Sequence, residues 1–252
     1  MTEPRFEPIR WTHVFIDRPA ASFDRACAFW TAVTDTKLSE PRGEHGEFVT
    51  LLPRGADASV KAQAVDTADP GGAHLDLCVS DVPALVASAL ALGAEIVTPH
   101  DGWTVLRSPG GQLFCAVPWH GEAVRPPVFD NSRLDQVCVD LAPASFDTEI
   151  AFWTTLTGWE SYAGSRPEFH VLKPPPGLPT RILLQRLDAS RPTSAHLDLA
   201  CSDITRTRSH HESLGAEFIT RAPHWTVMRD PAGGTYCLTG RDPETGGLPA
   251  AG

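Results

Sequence analysis

No stretch of this 252-residue chain approaches the roughly 18 consecutive apolar residues that a membrane span requires. The residues up to Trp11 hold no apolar run of signal-peptide length either, so the sequence leads us to expect a cytoplasmic protein with no membrane partner. Positive charge is in short supply. Lys and Arg number 21 against 31 for Asp and Glu, a net charge of −10, which opposes the counterion release that nucleic-acid binding relies on. Nucleic acid is therefore not an expected partner. The six cysteines include no CxxC pair and mostly fall inside apolar runs, so they read as reduced, small hydrophobic residues and not as a disulfide framework. No glycine-rich loop follows a strand and opens a helix, which leaves a nucleotide cofactor without support, and the GxSxG elbow of serine hydrolases is missing.

What is present is the composition of a packed protein, 42% hydrophobic and 21% charged. The 23 prolines and 20 glycines punctuate the chain into many short elements, which argues against a helical bundle. The chain is also written twice. Ala21-Ser-Phe-Asp24 returns as Ala144-Ser-Phe-Asp147, and Ala28-Phe-Trp-Thr31 as Ala151-Phe-Trp-Thr154, at an offset of 123. Further on, His74-Leu-Asp-Leu77 returns as His196-Leu-Asp-Leu199, Leu92-Gly-Ala-Glu95 as Leu214-Gly-Ala-Glu217, and Trp103-Thr-Val105 as Trp225-Thr-Val227, at an offset of 122. The residue lost falls between Glu40 and Lys61, where surface loops tolerate insertions. The repeats divide the chain into residues 1–120, a linker over 121–131, residues 132–242 and a flexible tail over 243–252.

Within the first copy, Trp11 to Asp17 alternates as a strand, and Ser22 stands as N-cap of a helix with Phe23, Ala26, Cys27, Trp30 and Val33 on one face. Short strands follow near Lys37, at Phe48 to Leu52 and at Val60 to Val65. The pattern then restarts with a strand from Ala73 to Val79 and a helix capped by Asp81 and closed by Gly93. Strands around Glu95 to Val97, Trp103 to Leu106 and Leu113 to Val117 complete the copy. The string is βαβββ four times over. A helix followed by three strands is not the alternation of a doubly wound parallel sheet, so the expected class is α+β with a mixed sheet.

Paired βαβββ modules, the capped helix ending in Ala-Phe-Trp, the His-Leu-Asp-Leu strand, the Leu-Gly-Ala-Glu helix stop and Asp230-Pro-Ala-Gly-Gly234 together resemble the vicinal oxygen chelate superfamily. Each half looks like a domain of its glyoxalase, bleomycin-resistance and dioxygenase group. The resemblance implies two tandem domains packed as an intramolecular pseudo-dimer, within a monomer or a homodimer, each with a cup for a small organic molecule. It also implies metal ligands at His13, Gln63, His74 and Cys115 in the first half, and at Gln136, Gln185, His196 and Cys237 in the second. Relatives of this kind use at least one Glu, and neither half carries a carboxylate at these mapped positions. Cys115 and Cys237 take the place of the last-strand Glu.

Strand parity puts His13 on the face of Trp11 and Phe15, and His74 on the face of Asp76 and Cys78. Cys115 and Cys237 read as buried packing residues, as metal ligands or as nucleophiles. Trp103, Trp225, His196 and Gln136 are the candidates for contact with a substrate, while Trp30 and Trp153 read as core. Ser209-His-His-Glu212 lacks the spacing of HExxH and reads as a solvated helix face. Two functions stay open on this basis. One is an enzyme of lyase, isomerase or oxygenase type using a divalent metal, whether zinc, nickel, iron or manganese. The other is a metal-free protein that binds or sequesters a small molecule, such as an antibiotic.

Overall fold

The computed structural model of the chain describes residues 7–66 and 72–248. The first βαβββ module runs β1 (Trp11–Pro19), α1 (Phe23–Thr34), β2 (Thr36–Leu38), β3 (Phe48–Pro53) and β4 (Val60–Val65). The second runs β5 (Ala73–Val79), α2 (Val82–Ala91), β6 (Glu95–Pro99), β7 (Thr104–Arg107) and β8 (Leu113–Pro118). The third is β9 (Ser132–Leu141), α3 (Phe146–Thr157), β10 (Glu160–Ala163), β11 (Phe169–Lys173) and β12 (Arg181–Arg186). The fourth is β13 (Ser194–Cys201), α4 (Ile204–Ser213), β14 (Glu217–Arg221), β15 (Trp225–Arg229) and β16 (Thr235–Thr239). The strands form two eight-stranded mixed sheets, in the orders β2-β3-β4-β1-β5-β8-β7-β6 and β10-β11-β12-β9-β13-β16-β15-β14. This is the expected α+β class.

The described residues fall into two compact units that do not follow the sequence repeat. The first unit takes them from Met1–Val14, His74–Ala123 and Val137–Ala195, and the second from Phe15–Ala73, Val124–Gln136 and His196–Gly252. Each unit thus draws on both copies of the repeat.

In the first unit, β5 runs parallel to β8, which pairs antiparallel with β7, while β10, β11 and β12 form an antiparallel ladder. The helix α2 begins where the sequence places it, with the Asp81 carboxylate accepting from the Ala84 N–H at 3.0 Å. It stops at Gly93, whose φ of 94° a side chain would resist. Phe114 meets the Trp153 ring edge-on at 5.1 Å, inside a core that also holds Leu75, Leu77 and Leu85. Beneath that core Glu149 of α3 is fully buried. Its carboxylate accepts from Ser108 Oγ at 2.9 Å, the Gly110 N–H at 2.6 Å and Trp153 Nε1 at 2.8 Å. Burial pushes its pKa up, and those three donors pull against the rise.

The second unit solves the same problem with the charge moved. Here the carboxylate belongs to the turn before β16, as Asp230. It accepts from Arg18 Nε at 2.8 Å, Trp30 Nε1 at 3.0 Å and the backbone N–H groups of Ala232 and Gly234 at 2.9 and 3.0 Å. Trp30 and Trp153, expected as core residues, are 1% and 0% exposed. Two expectations need correction. Ser22 occupies the N-cap position of α1 but caps nothing. A 3₁₀ turn over Ala20–Ser22 precedes the helix, and its hydroxyl donates back to the Pro19 carbonyl at 3.3 Å. The Ser209 to Glu212 face is not wholly solvated either. His211 is 1% exposed, its Nδ1 lies 2.9 Å from the Tyr236 hydroxyl, and its ring meets Phe29 edge-on.

Candidate functional site

Strand geometry assembles one group of donors in each unit. In the first, the period of two along β5 turns His74 and Asp76 to one face, and the parallel register sets Asp76 opposite Cys115 of β8. An imidazole nitrogen, a carboxylate oxygen and the thiol sulfur of these residues lie within 4.8 Å of one another. Asp76 and Cys115 are buried, and His74 is half-buried. The second unit repeats the arrangement 122 residues later. The β13 and β16 register sets Asp198 opposite Cys237, and His196, Asp198 and Cys237 again bring their donor atoms within 4.8 Å.

In the second unit Gln136 Nε2 donates a short hydrogen bond to Asp198 Oδ2, and His196 Nε2 lies 3.4 Å from Oδ1. Burial pushes the Asp198 pKa up, while His196, Arg241 and the Gln136 bond work in the other direction. Next to Gln136 on β9, Asp135 takes both ends of the Arg241 guanidinium at 2.6 and 2.5 Å.

Of the residues singled out in the sequence, His74 with Cys115 and His196 with Cys237 are brought together, and Gln136 joins the second pair through Asp198. Asp76 and Asp198 are the residues that sequence reasoning left out. The signal was the Asp two positions after each His in the repeated His-Leu-Asp-Leu, where alternation forces the two side chains to one face. His13 stands outside the three-donor group of its unit. Its Nδ1 lies 3.2 Å from Cys78 Sγ, and its Nε2 lies 4.0 Å from a Glu122 carboxylate oxygen. Gln63 sits on β4 opposite Phe48, in the second unit. Gln185 accepts from Cys138 Sγ at 3.5 Å. Trp103 is half-buried and stacks flat on His100, with ring centroids 3.8 Å apart. Its counterpart Trp225 is also half-buried, at the start of β15 opposite Thr239.

Comparison with curated proteins gives no match. Solved structures do match the fold. A xylose isomerase-like TIM barrel/4-hydroxyphenylpyruvate dioxygenase fusion protein aligns over 94% of this chain at a TM-score of 0.62 and 14% identity. This chain spans only half of that protein's length, 50%. The Mn(II)-bound glyoxalase from Novosphingobium aromaticivorans aligns over 98% of this chain and 88% of its own, at a TM-score of 0.57 and 18% identity. A 2,3-dioxygenase from a Pseudomonas species aligns over 93% of both chains, at a TM-score of 0.64 and 12% identity. At such identities the likeness is one of fold. The sequence itself matches the model of a glyoxalase-like domain twice, over residues 13–117 and 136–239. With most of each copy matched, the chain belongs to the glyoxalase-like domain family of the vicinal oxygen chelate superfamily, as a tandem of two such domains.

Proposed function

We propose that the protein binds a divalent metal at His74, Asp76 and Cys115 and acts there on a small organic molecule, by lyase, isomerase or oxygenase chemistry. The observation that carries this reading is the convergence of an imidazole, a carboxylate and a thiol within 4.8 Å, made twice on equivalent residues. The donor set fits a metal. A carboxylate and a thiolate offset the charge of a divalent ion, the imidazole adds a neutral donor, and three protein ligands leave room for a further one. A thiolate among them favours zinc over the harder ions, and zinc, which has no redox chemistry, would serve the lyase or isomerase reaction, the oxygenase reaction requiring iron or manganese instead. When bound, the ion supplies a Lewis acid for negative charge developing on a substrate oxygen. The relative named as a Mn(II)-bound glyoxalase supports the same class of chemistry. The half-buried Trp103 and Trp225 would offer aromatic surface to the substrate. Domain limits of 1–120 and 132–242 follow the repeat. A cytoplasmic setting agrees with six free cysteines and with the lack, among the described residues, of any helix long and apolar enough to cross a membrane.

One observation favours a second reading for the other unit. Gln136 Nε2 donates to Asp198 Oδ2 and His196 Nε2 lies 3.4 Å from Oδ1, so both carboxylate oxygens face protein nitrogens, and His196, Asp198 and Cys237 serve without a metal as a polar wall for a bound ligand. The protein, made without a polyhistidine tag and purified without chelators, is assayed for metal by inductively coupled plasma mass spectrometry after loading with zinc, nickel, iron and manganese. One metal per chain, lost in Asp76→Asn and kept in Asp198→Asn, is the expected result. Absence of metal under all four loadings overturns the proposal and leaves metal-free binding or sequestration for both units.

A further inference from the structure

Strand parity carries the His74 face outward across the sheet of the first unit. Leu75 and Leu77 of β5, Phe114 of β8 and Leu106 of β7 are buried in the core. His74, Asp76, Leu113, Cys115, Val105 and Arg107 alternate with them and so share the opposite face. The register sets Val105 opposite Cys115 and Arg107 opposite Leu113, and Glu95 of β6 lies opposite Arg107 in turn. Since β8 lies between β5 and β7, Leu113 stands between His74 and Arg107. At strand spacings of about 4.8 Å and a rise of about 3.4 Å per residue, the Cα atoms of Cys115 and Arg107 are about 8 Å apart, the span of one small molecule.

The second unit carries the same surface 122 residues later, with two differences. There the cross-strand partners Glu217 and Arg229 close an ion pair at 3.3 Å. Glu95 and Arg107 hold the equivalent cross-strand positions without pairing, and among the described residues Arg107 has no hydrogen bond or ion pair. The neighbour of Arg229 on β16 is Thr235, whereas that of Arg107 on β8 is Leu113, 41% exposed. One exposed leucine is ordinary by itself. This one lies on the path from the donor group to an uncompensated guanidinium, and the half-buried Val105 and Trp103 of the β7 segment extend the apolar surface beside it.

We propose that the molecule acted on at His74, Asp76 and Cys115 is a small organic acid. Oxygen donors at one end reach the metal, an apolar or aromatic body crosses Leu113, and a carboxylate at the far end is held by Arg107. This rests on the metal reading of that site. The guanidinium fork matches a carboxylate, and Glu95 across from it disfavours a dianion such as a phosphate ester. Arg107 sets specificity and takes no part in the chemistry.

The test is isothermal titration of the zinc-loaded full chain with 4-carboxybenzohydroxamate, whose hydroxamate oxygens grip zinc and whose carboxylate lies across the ring. Its neutral isostere is 4-carbamoylbenzohydroxamate. The acid should bind about five- to tenfold more tightly than the amide. Arg107→Gln, an exposed position, should erase that preference with zinc content unchanged, Arg107→Lys should restore part of it, and Arg229→Gln should leave it intact. Leu113→Thr, which copies the second unit, should weaken both ligands alike, by about threefold or more. Zinc bound without a preference for the acid overturns this inference alone, as does a preference that survives Arg107→Gln, one lost in Arg229→Gln, or indifference to Leu113→Thr. Zinc missing from the parent protein by mass spectrometry overturns the metal reading and this inference with it.

Discussion

Replacing Gly234 with Ala adds one methyl group, and its cost can be worked out from the neighbours that group would meet. A Cβ built there lies 2.0 Å from Arg18 Cζ, far inside contact distance. A flexible guanidinium could ordinarily swing aside at little cost. Arg18 cannot, because its side chain is 2% exposed and tied on every side. Its Nε and Nη2 reach Asp230 at 2.8 and 2.7 Å, and its Nη1 donates to the Asp17 and Gly72 carbonyls at 2.7 and 2.9 Å. Overpacking alone costs about 1–3 kcal/mol, and separating a buried ion pair about 3–5 kcal/mol. Asp230 keeps its Trp30 and backbone donors, so the lower end of the second range applies, and a total of about 4–6 kcal/mol is expected. Urea unfolding followed by tryptophan fluorescence measures it. The discriminating experiment repeats the substitution in an Arg18→Met background, where the clash and the pair are both gone. There Gly234→Ala should cost less than about 1 kcal/mol. An equal cost in the two backgrounds, or a cost under about 1 kcal/mol in the parent, refutes the reasoning.

Two further outcomes follow from buried groups. His211 has its pKa lowered from 6.5 to about 4 by burial, and then by His210. The unfolded chain therefore takes up a proton first as pH falls, and stability is lost between about pH 6.5 and 4, by about 3 kcal/mol. His211→Gln should flatten that limb of the stability profile in urea titrations, and an unchanged slope would show that other groups produce it. All six cysteines are free and buried. Ellman's reagent should find six thiols in guanidinium but almost none in the native protein within minutes, and rapid native labelling would contradict the burial of the β5 and β8 thiols.

The strand and helix framework was legible because alternation and the repeat agree. Val60–Val65 and Ala73–Val79 begin and end where the pattern places them, and Asp81 caps α2 as a short acceptor ahead of an apolar face should. The donor groups were half-legible. Alternation along β5 already put Asp76 on the face of His74, but what sets Cys115 beside Asp76 is the register of β5 against β8, a tertiary pairing that periodicity along one strand does not encode. His211 was misread for a related reason. On α4 two of the buried positions are Thr207 and His211, so hydropathy sees no inward face, and the imidazole is at home only because Tyr236 meets it. Ser22 has the right residue type for a cap, but the 3₁₀ turn before it directs the hydroxyl elsewhere.

The Arg18 and Asp230 pair joins residues 212 positions apart in the chain. At ribosomal speeds of about 5–20 residues per second, Arg18 waits roughly 10–40 s after its synthesis before its partner exists. During that interval the guanidinium has no native acid and α1 has no Trp30 acceptor, so the unit they belong to closes only as the last module leaves the ribosome. A tandem protein is commonly pictured as folding one repeat at a time from its amino end. This one must keep its first module soluble until the fourth arrives, and a nascent chain stalled at the linker should depend more on holding chaperones than the finished protein does.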